Sequence, residues 1–281
     1  MILKNKFILI TGAGGGIGSV VSKKLVSEGA ILGLVDISEN LLSELENEIK
    51  RMSGESHNFI ADITNLKDVD RVFNEVLSVS KSIDVLINIA GIQAPIGPFI
   101  SNDLQIWKRN IEVNLLGTVF FTYHAVKLMI QKKRGKIINF SGGGSASPRP
   151  NLSAYAVAKT GVVRFTETIA GELKDYNIDV NAIAPGAINT KMLDEVIQAG
   201  NLAGKEYIEA INRKEKGGTD PNLAAELICF LASDLSNGIT GKLISAPWDP
   251  WQREDFQELL KSDKDIASLR RIDNKTFYRK T

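Results

Sequence analysis

The stretch Thr11-Gly12-Ala13-Gly14-Gly15-Gly16-Ile17-Gly18 decides the fold, because it joins an apolar run to a helical pattern. The run FILIT before it has the composition of a buried strand. Glycines at a strand-to-helix turn let the backbone approach a pyrophosphate, and the free N–H groups of the helix start attract its charge. The stretch therefore predicts a dinucleotide site, although a glycine-rich turn without a ligand has the same pattern.

Short β-rich runs alternate with longer helical patterns along the rest of the chain. The predicted strands are residues 7–11, 30–35, 57–61, 83–88, 136–141, 178–183 and 242–246. The predicted helices are residues 17–28, 39–52, 66–80, 103–132, 153–175 and 222–232. Several strands are apolar at successive positions, as in strands covered on both faces. The alternation predicts an α/β fold with a single Rossmann-type, doubly wound parallel sheet of about seven strands flanked by helices.

Composition narrows the classes of protein and of partner. Of the 281 residues, 43% are hydrophobic and 24% are charged, which is ordinary for a soluble globular protein. The net charge of +1 argues against nucleic acid as a partner. No long uninterrupted apolar stretch suggests a membrane span. The lone Cys229 excludes a disulfide within the chain and favours the cytoplasm, and the separated His57 and His124 predict no metal site.

The composition changes near the C-terminus. Residues after Pro250 are polar and charged, apart from a short helical pattern at 254–261. We therefore predict a Rossmann-type domain at residues 1–248 and an extension at 249–281 that packs on the same domain or on a neighbouring subunit. Trp248 and Trp251 are flanked by prolines just beyond the last strand, and we expect Trp248 or Trp251 to line a substrate pocket. The alternative is that the tryptophans only cover the edge of the core.

Asp36 bears on the choice of dinucleotide. It lies at the end of the second predicted strand, and its distance along the chain from Gly18 is close to that expected of an acid that binds the adenosine ribose. A carboxylate accepts hydrogen bonds from both ribose hydroxyls but repels a 2′-phosphate. No Arg or Lys lies in the glycine loop or directly after Asp36. The sequence therefore favours NAD over NADP. The alternative is that Asp36 is a solvated loop acid without a role in binding.

A tyrosine and a lysine form the candidate acid–base pair. Tyr155 and Lys159 are four residues apart in a helical pattern, which puts both on one face. The pKa of a free tyrosine is about 10, and a nearby ammonium favours the phenolate and lowers that pKa. Such a pair can give a proton to a forming alkoxide or take one from an alcohol. Taken alone, the same spacing is also typical of a surface pair.

These elements together resemble the short-chain dehydrogenase/reductase family. The resemblance covers about residues 4–246 and rests on the glycine loop at 11–18, Asn88-Ile89-Ala90-Gly91, Tyr155 with Lys159, Pro185-Gly186, and the stretch 231–241. It implies that Asp62 lies by the adenine, that Asn114 helps hold a water that links Lys159 to solvent, and that Thr190 contacts the carboxamide. The cofactor residues that it implies are Gly12, Gly14, Gly15, Gly16, Ile17, Gly18, Asp36, Ile37, Asp62, Ile63, Asn88, Ala90, Gly91, Tyr155, Lys159, Pro185, Gly186, Ile188 and Thr190.

One position departs from the family pattern. The family's active-site serine precedes the tyrosine at a characteristic spacing, and the corresponding position here is Gly142. A carbonyl still needs a hydrogen-bond donor to stabilise developing negative charge. Ser145 is the first candidate for that donor and Ser141 the second; the third possibility is that no serine serves. Arg149, between Pro148 and Pro150, could face the pocket and hold an anionic substrate group, or could be a solvated loop charge.

We therefore expect a cytoplasmic NAD-dependent oxidoreductase that moves a hydride between the cofactor and a secondary alcohol or ketone. Polar residues in the region 186–218 favour a sugar-like small-molecule substrate. The alternatives are a catalytically silent dinucleotide-binding sensor or scaffold, and a sugar-nucleotide-modifying enzyme of a related fold. Long apolar helices at 103–132 and 153–175 predict a homo-oligomer, a tetramer or a dimer.

Overall fold

The computed structural model of the protein describes residues 1–271. The last part of the predicted C-terminal extension, residues 272–281, lies outside the described residues.

Within the described chain, seven parallel strands form one sheet in the order β3-β2-β1-β4-β5-β6-β7. The strands are β1 (Phe7–Thr11), β2 (Ile31–Asp36), β3 (Glu55–Ile60), β4 (Val85–Asn88), β5 (Gly135–Phe140), β6 (Ile178–Ala184) and β7 (Leu243–Ser245). The chain leaves β1 toward β2 on one side and returns to β4 on the other, so the strand order reverses between β1 and β4. This confirms the doubly wound α/β fold, and such a reversal opens a crevice at the carboxyl ends of the strands.

Helices cover both faces of the sheet. They are α1 (Gly16–Ser27), α2 (Glu39–Arg51), α3 (Leu66–Val79), α4 (Leu104–Ile111), α5 (Gly117–Lys132), α6 (Ser153–Leu173), α7 (Lys191–Ala199), α8 (Lys205–Lys216), α9 (Pro221–Ala232) and α10 (Glu254–Ser262). The predicted helices and strands begin and end within two residues of these bounds, except that the predicted helix at 103–132 is divided into α4 and α5. Helices α7 and α8 were not predicted; they lie in the region 186–218, whose polar residues favoured a sugar-like substrate.

The core is divided into two layers by the sheet. Ile8 and Ile10 of β1 pack with residues of α1 and α9 on one face. Phe7 and Leu9 pack with residues of α3 and α5 on the other face. Because side chains alternate along a strand, both faces of β1 must be apolar, and this explains its uninterrupted hydrophobic sequence.

The predicted helix at 103–132 is interrupted near its middle. A π-helical turn, Glu112–Leu116, separates α4 from α5. The continuous stretch Leu104–Lys132 is long and apolar enough by composition to cross a membrane. Its residues Phe121, Ala125 and Met129 are buried in the layer beneath the sheet, as in the core helix of a globular domain.

The extension packs against β7 and α9. The side chain of Trp251 is only 5% exposed and its ring lies 5.8 Å from that of Phe230, centroid to centroid. Leu260 of α10 is buried in the same layer, and the backbone N–H of Leu243 donates to the carbonyl of Ala267 at 2.7 Å. Within the described residues, the extension therefore completes the hydrophobic core of the same domain.

Candidate active site

The glycine loop forms the floor of a groove of about 460 Å³ at the ends of β1 and β4. Gly12, Gly15, Gly16, Ile17 and Gly18 all line it. A Cβ on Gly12 would lie 2.7 Å from the backbone of Ala90, and Gly12 has a φ of +69°. A side chain is therefore excluded there by both conformation and contact. The N-terminus of α1 opens on this groove with no side-chain cap, so its N–H groups are available to phosphate.

The end of β2 brings Asp36 to the same loop. One carboxylate oxygen of Asp36 accepts a hydrogen bond from the Gly14 N–H at 3.0 Å, and the other accepts from the Ser38 N–H at 3.1 Å. These bonds fix the carboxylate at the groove edge. The neighbouring Ile37 is 66% exposed and also lines the groove, so its side chain offers an apolar surface to a nucleobase.

Asp62 lies in a hydrogen-bonded cluster with a residue that the sequence analysis missed. Its carboxylate accepts hydrogen bonds from the backbone and hydroxyl of Thr64, and from Arg109 at 2.7 Å. Burial opposes its ionisation, but these hydrogen bonds outweigh burial and hold the pKa of Asp62 below its usual value. Arg109 lines the groove with Asp62 and Ile63. No sequence pattern indicated Arg109, because it lies on α4, 47 residues from Asp62.

The side chain of Asn88, predicted as a cofactor residue, lies outside the groove. Its side chain is buried, and its amide donates to Thr122 and to Asn139 of the adjacent strand. It is absent from the groove lining, whereas the following Ala90 and Gly91 are part of it. Asn88 therefore holds the end of β4 in place, and the backbone after it faces the groove.

The π-helical turn contains Asn114, which is fully buried beside Gly91 and does not itself line the groove. Its amide donates to the carbonyl of Ile92 at 2.8 Å and to the side chain of Asn110 at 2.8 Å. A Cβ on Gly91 would lie 2.6 Å from Asn114 Oδ1 and 3.5 Å from Lys159 Nζ. Glycine at 91 thus lets the side chains of Asn114 and Lys159 approach each other.

Tyr155 and Lys159 are both buried on the inner face of α6 and both line the groove. Lys159 Nζ donates to the carbonyl of Phe140 at 3.0 Å and lies 5.6 Å from the centre of the Tyr155 ring. Burial lowers the pKa of Lys159 to about 8. We expected neighbouring charge to lower the pKa of Tyr155, but its net direction is upward, since burial outweighs the opposing effect of Arg149.

Neither predicted serine occupies the position that the family's serine would take. A Cβ on Gly142 would lie 2.9 Å from the Tyr155 hydroxyl, so position 142 faces the acid–base group directly. Ser141 lines the groove, but its hydroxyl is directed at the carbonyl of Lys159 at 3.4 Å. Ser145 does not line the groove, and its hydroxyl donates to the carbonyl of Gly142 at 2.9 Å. This geometry disfavours both Ser145 and Ser141 as donors to a substrate.

The segment after β6 closes the groove from the opposite side. Pro185 and Thr190 line it, and the Thr190 methyl would lie 3.6 Å from a Cβ on Gly16. Gly186 is absent from the lining. It turns the chain with a φ of +91°, and a Cβ there would collide with the side chain of Thr219. Ile188, also predicted as a cofactor residue, is partly buried against the core and does not line the groove.

The predicted substrate residues fall in two different settings. Trp248 is 76% exposed and Trp251 is buried in the core, and neither lines the groove of its own chain. The alternative of edge packing is therefore the better description of Trp251. Arg149 is not a solvated loop charge: its guanidinium binds both oxygens of Glu206, at 2.8 and 2.7 Å, and its Cζ lies 5.7 Å from the centre of the Tyr155 ring.

Several groove residues carried no recognisable sequence signal. The additional lining residues are Leu41, Ala61, Ile89, Ile92, Val113, Phe140, Lys191, Met192 and Glu195. Most are apolar or belong to α7, whose existence the sequence analysis did not predict. Their place in the groove follows from the fold and not from any local pattern.

Comparison with known proteins agrees with this geometry. The sequence profile of the family described as short chain dehydrogenase matches residues 6–200. The 3-oxoacyl-[acyl-carrier-protein] reductase of Thermotoga maritima is 35% identical over 245 residues, which cover 87% of this chain and 97% of the reductase. The diacetyl reductase [(S)-acetoin forming] of Staphylococcus epidermidis is 32% identical over 248 residues, covering 85% of this chain and 96% of that enzyme.

A solved structure extends the likeness to three dimensions. The crystal structure of an NAD+-bound xylitol dehydrogenase superimposes with a TM-score of 0.82 at 26% identity, covering 87% of this chain and 98% of the dehydrogenase. Family profile, relatives and fold agree, and they agree with the Tyr155 and Lys159 pair beside a dinucleotide groove. The chain belongs to the short-chain dehydrogenase/reductase family, whose members are oxidoreductases that move a hydride between a nicotinamide cofactor and an alcohol or carbonyl carbon.

Proposed function

We propose that this chain is an NAD(H)-dependent alcohol dehydrogenase or ketone reductase in which Tyr155 exchanges the proton. The observation that carries the proposal is the burial of Tyr155 and Lys159 side by side at one end of a groove whose other end holds Asp36. The free N–H groups of α1 suit the pyrophosphate between these two ends. When bound, the nicotinamide supplies or accepts the hydride.

The side chains around Tyr155 support proton exchange in both directions. In reduction, the carbonyl carbon gains the hydride, the C=O π electrons move to oxygen, and the Tyr155 hydroxyl gives its proton to that oxygen. Oxidation of an alcohol reverses each step. Lys159 provides positive charge beside the resulting phenolate, and Asn114, on the other side of Gly91, anchors the path by which a proton returns from solvent.

The proposed cofactor is NAD rather than NADP. Asp36 directs a fixed carboxylate at the groove edge where the adenosine ribose would lie, and a 2′-phosphate there would be repelled. The guanidinium of Arg109, the basic group nearby in the lining, is hydrogen-bonded to Asp62 and Thr64. The similarity to a dehydrogenase solved with NAD+ also favours NAD.

Fluorescence titration with both reduced cofactors tests this assignment. We expect NADH to bind at least tenfold tighter than NADPH, a difference of about 1.4 kcal/mol or more. Asp36→Ala should narrow the difference, while Asp70→Ala, on α3 outside the groove lining, should leave it unchanged. Equal affinities of the unaltered protein for the two cofactors would exclude the assignment.

We propose a polar small molecule, such as a polyol or keto-sugar, as the substrate. The region between β6 and α9 presents exposed polar side chains, and the structurally similar xylitol dehydrogenase is named for a polyol. NADH or NAD+ turnover against polyols, keto-sugars, hydroxy acids and small diketones tests the class. Turnover of a diketone but not of polyols or keto-sugars would contradict it, and no turnover at all would favour a silent dinucleotide-binding protein. Because a single cysteine allows no disulfide within the chain, we place the enzyme in the cytoplasm.

A further inference from the structure

An unusual run of three glycines lies directly in front of the acid–base tyrosine. Gly142 leaves open the space beside the Tyr155 hydroxyl, as described above. A Cβ on Gly143 would lie 3.5 Å from Arg149 Nη1, and a Cβ on Gly144 would lie 3.4 Å from Arg149 Cβ. A Cβ at either position would be in ordinary van der Waals contact with Arg149, so the arginine lies close against this loop.

Arg149 is held in that place by a charge from a distant element. Both of its bonds to Glu206 are short, and the two side chains are only 17% and 19% exposed. Glu206 lies in the first turn of α8, which follows the catalytic helix α6 only after β6 and α7. A bidentate pair of this kind fixes the plane of the guanidinium as well as its position.

The cations that face the Tyr155 ring come from two elements. Lys159 belongs to α6, as does Tyr155 itself, and its Nζ lies 5.6 Å from the ring centre. Arg149 precedes α6, and its Cζ lies at 5.7 Å. Arg149 opposes the rise in the pKa of Tyr155 that burial causes. Helix α8 adds Glu206, Glu209 and Arg213, whose charges act on the Arg149–Glu206 pair.

We propose that Arg149 is a positioning residue that stabilises the Tyr155 phenolate from outside the groove, and that Glu206 limits how much of this charge the phenolate experiences. The proposal rests on the proposed role of Tyr155 as the acid–base group. In this proposal, Arg149 of the loop and Glu206 of α8 act electrostatically on Tyr155, beside which Gly142 provides no side chain.

Removing the two partners should shift the pKa of Tyr155 in opposite directions. Arg149→Met removes a positive charge near the ring and should raise that pKa by about one unit. Glu206→Gln removes the compensating negative charge, leaves Arg149 cationic, and should lower the pKa. Arg149→Lys keeps the charge without the bidentate geometry and should fall between wild type and Arg149→Met. If the ion pair were only structural, Arg149→Met and Glu206→Gln would shift the Tyr155 pKa in the same direction or not at all.

The test is a pH titration of 3-fluorotyrosine-labelled protein by ¹⁹F NMR, in which fluorination brings the phenol pKa into an accessible range. The Tyr155 signal is assigned by its loss in Tyr155→Phe. Asp194→Asn, which breaks an exposed ion pair between Lys214 of α8 and Asp194 of α7, is the matched control and should leave the Tyr155 titration unchanged.

Opposite shifts in Arg149→Met and Glu206→Gln support the proposal. An unchanged titration in Arg149→Met, or an upward shift in Glu206→Gln, would overturn it. If Arg149→Met does not fold, Arg149→Lys replaces it: a higher Tyr155 pKa in Arg149→Lys and a lower one in Glu206→Gln support the proposal. The titration needs no turnover, so its outcome is distinguishable from a failure of the proposed function, which would appear as full activity in Tyr155→Phe.

Discussion

Lys159 carries an ammonium that the packing of α6 removes from water, and burial lowers its pKa to about 8 from about 10.5. The unfolded chain therefore binds more protons than the folded one between pH 8 and 10.5. The free energy of unfolding therefore rises with pH through that window, as Lys159 loses its proton in the folded protein. Below about pH 8 the folded protein bears the full cost of burying the Lys159 ammonium.

This penalty predicts that a catalytic variant is more stable than the wild type. Lys159→Met should raise the free energy of unfolding at pH 7 by about 2 kcal/mol, since about 3 kcal/mol of charge burial is relieved and about 1 kcal/mol of hydrogen bonding to Phe140 is lost. Urea denaturation at pH 7 and at pH 10 measures it, in a Tyr155→Phe background so that the tyrosine does not titrate. If the gain in the free energy of unfolding of Lys159→Met does not shrink toward pH 10, the low pKa of Lys159 is contradicted.

At the scale of elements, the extension is part of the core. Trp251 packs on Phe230 of α9 and donates its indole N–H to the carbonyl of Ala246 at 3.2 Å, whereas Trp248 is exposed. Trp251→Ala should therefore destabilise the fold by about 3–5 kcal/mol, the cost of emptying a buried aromatic position.

Trp248→Ala is the matched control for that change. It should leave the free energy of unfolding within about 0.5 kcal/mol of wild type, as expected for an exposed site. Chemical denaturation compares the two variants. Equal destabilisation by both would show that the packing of Trp251 on α9 is not what holds the extension.

The sequence was sufficient where the information is local and periodic. The glycine loop, the strands and the Tyr155–Lys159 spacing follow from turns, apolar runs and helical repeats within a few residues of one another. Helices α7 and α8 were not predicted because α8 is mostly polar, and α7 is an amphipathic helix of only nine residues that ends just before Gly200. The pairs Arg109 with Asp62 and Arg149 with Glu206 could not be found, because their partners are far apart in the sequence and meet only through the sheet topology.

Over the whole molecule, exposed apolar side chains suggest that copies of the chain associate. Part of the apolar surface of the long helices, including Val113, Phe121 and Val162, is buried within the chain itself. Other side chains on the same helices remain exposed; they are Leu104 and Ile106 of α4, Tyr123 of α5 and Val157 of α6. Such surface on neighbouring helices is typical of a contact between subunits.

We predict a homo-oligomer, a tetramer or a dimer. Light scattering at micromolar concentration should give a mass that is a multiple of 30.7 kDa. Val157→Arg should shift the mass toward the single chain by placing a charge in the contact, while Lys67→Glu, at the start of α3, should not. A wild-type particle of 30.7 kDa would contradict the prediction.

The central claim for the whole enzyme is that Tyr155 exchanges the proton, and Tyr155→Phe tests it most directly because it removes only the hydroxyl. The variant is compared with wild type in turnover of the best substrate and in NADH affinity by fluorescence, with Tyr176→Phe, in the turn after α6, as the control. We predict a loss of turnover by a factor on the order of 10² or more with unchanged NADH affinity. Near-normal turnover in Tyr155→Phe would contradict the mechanism.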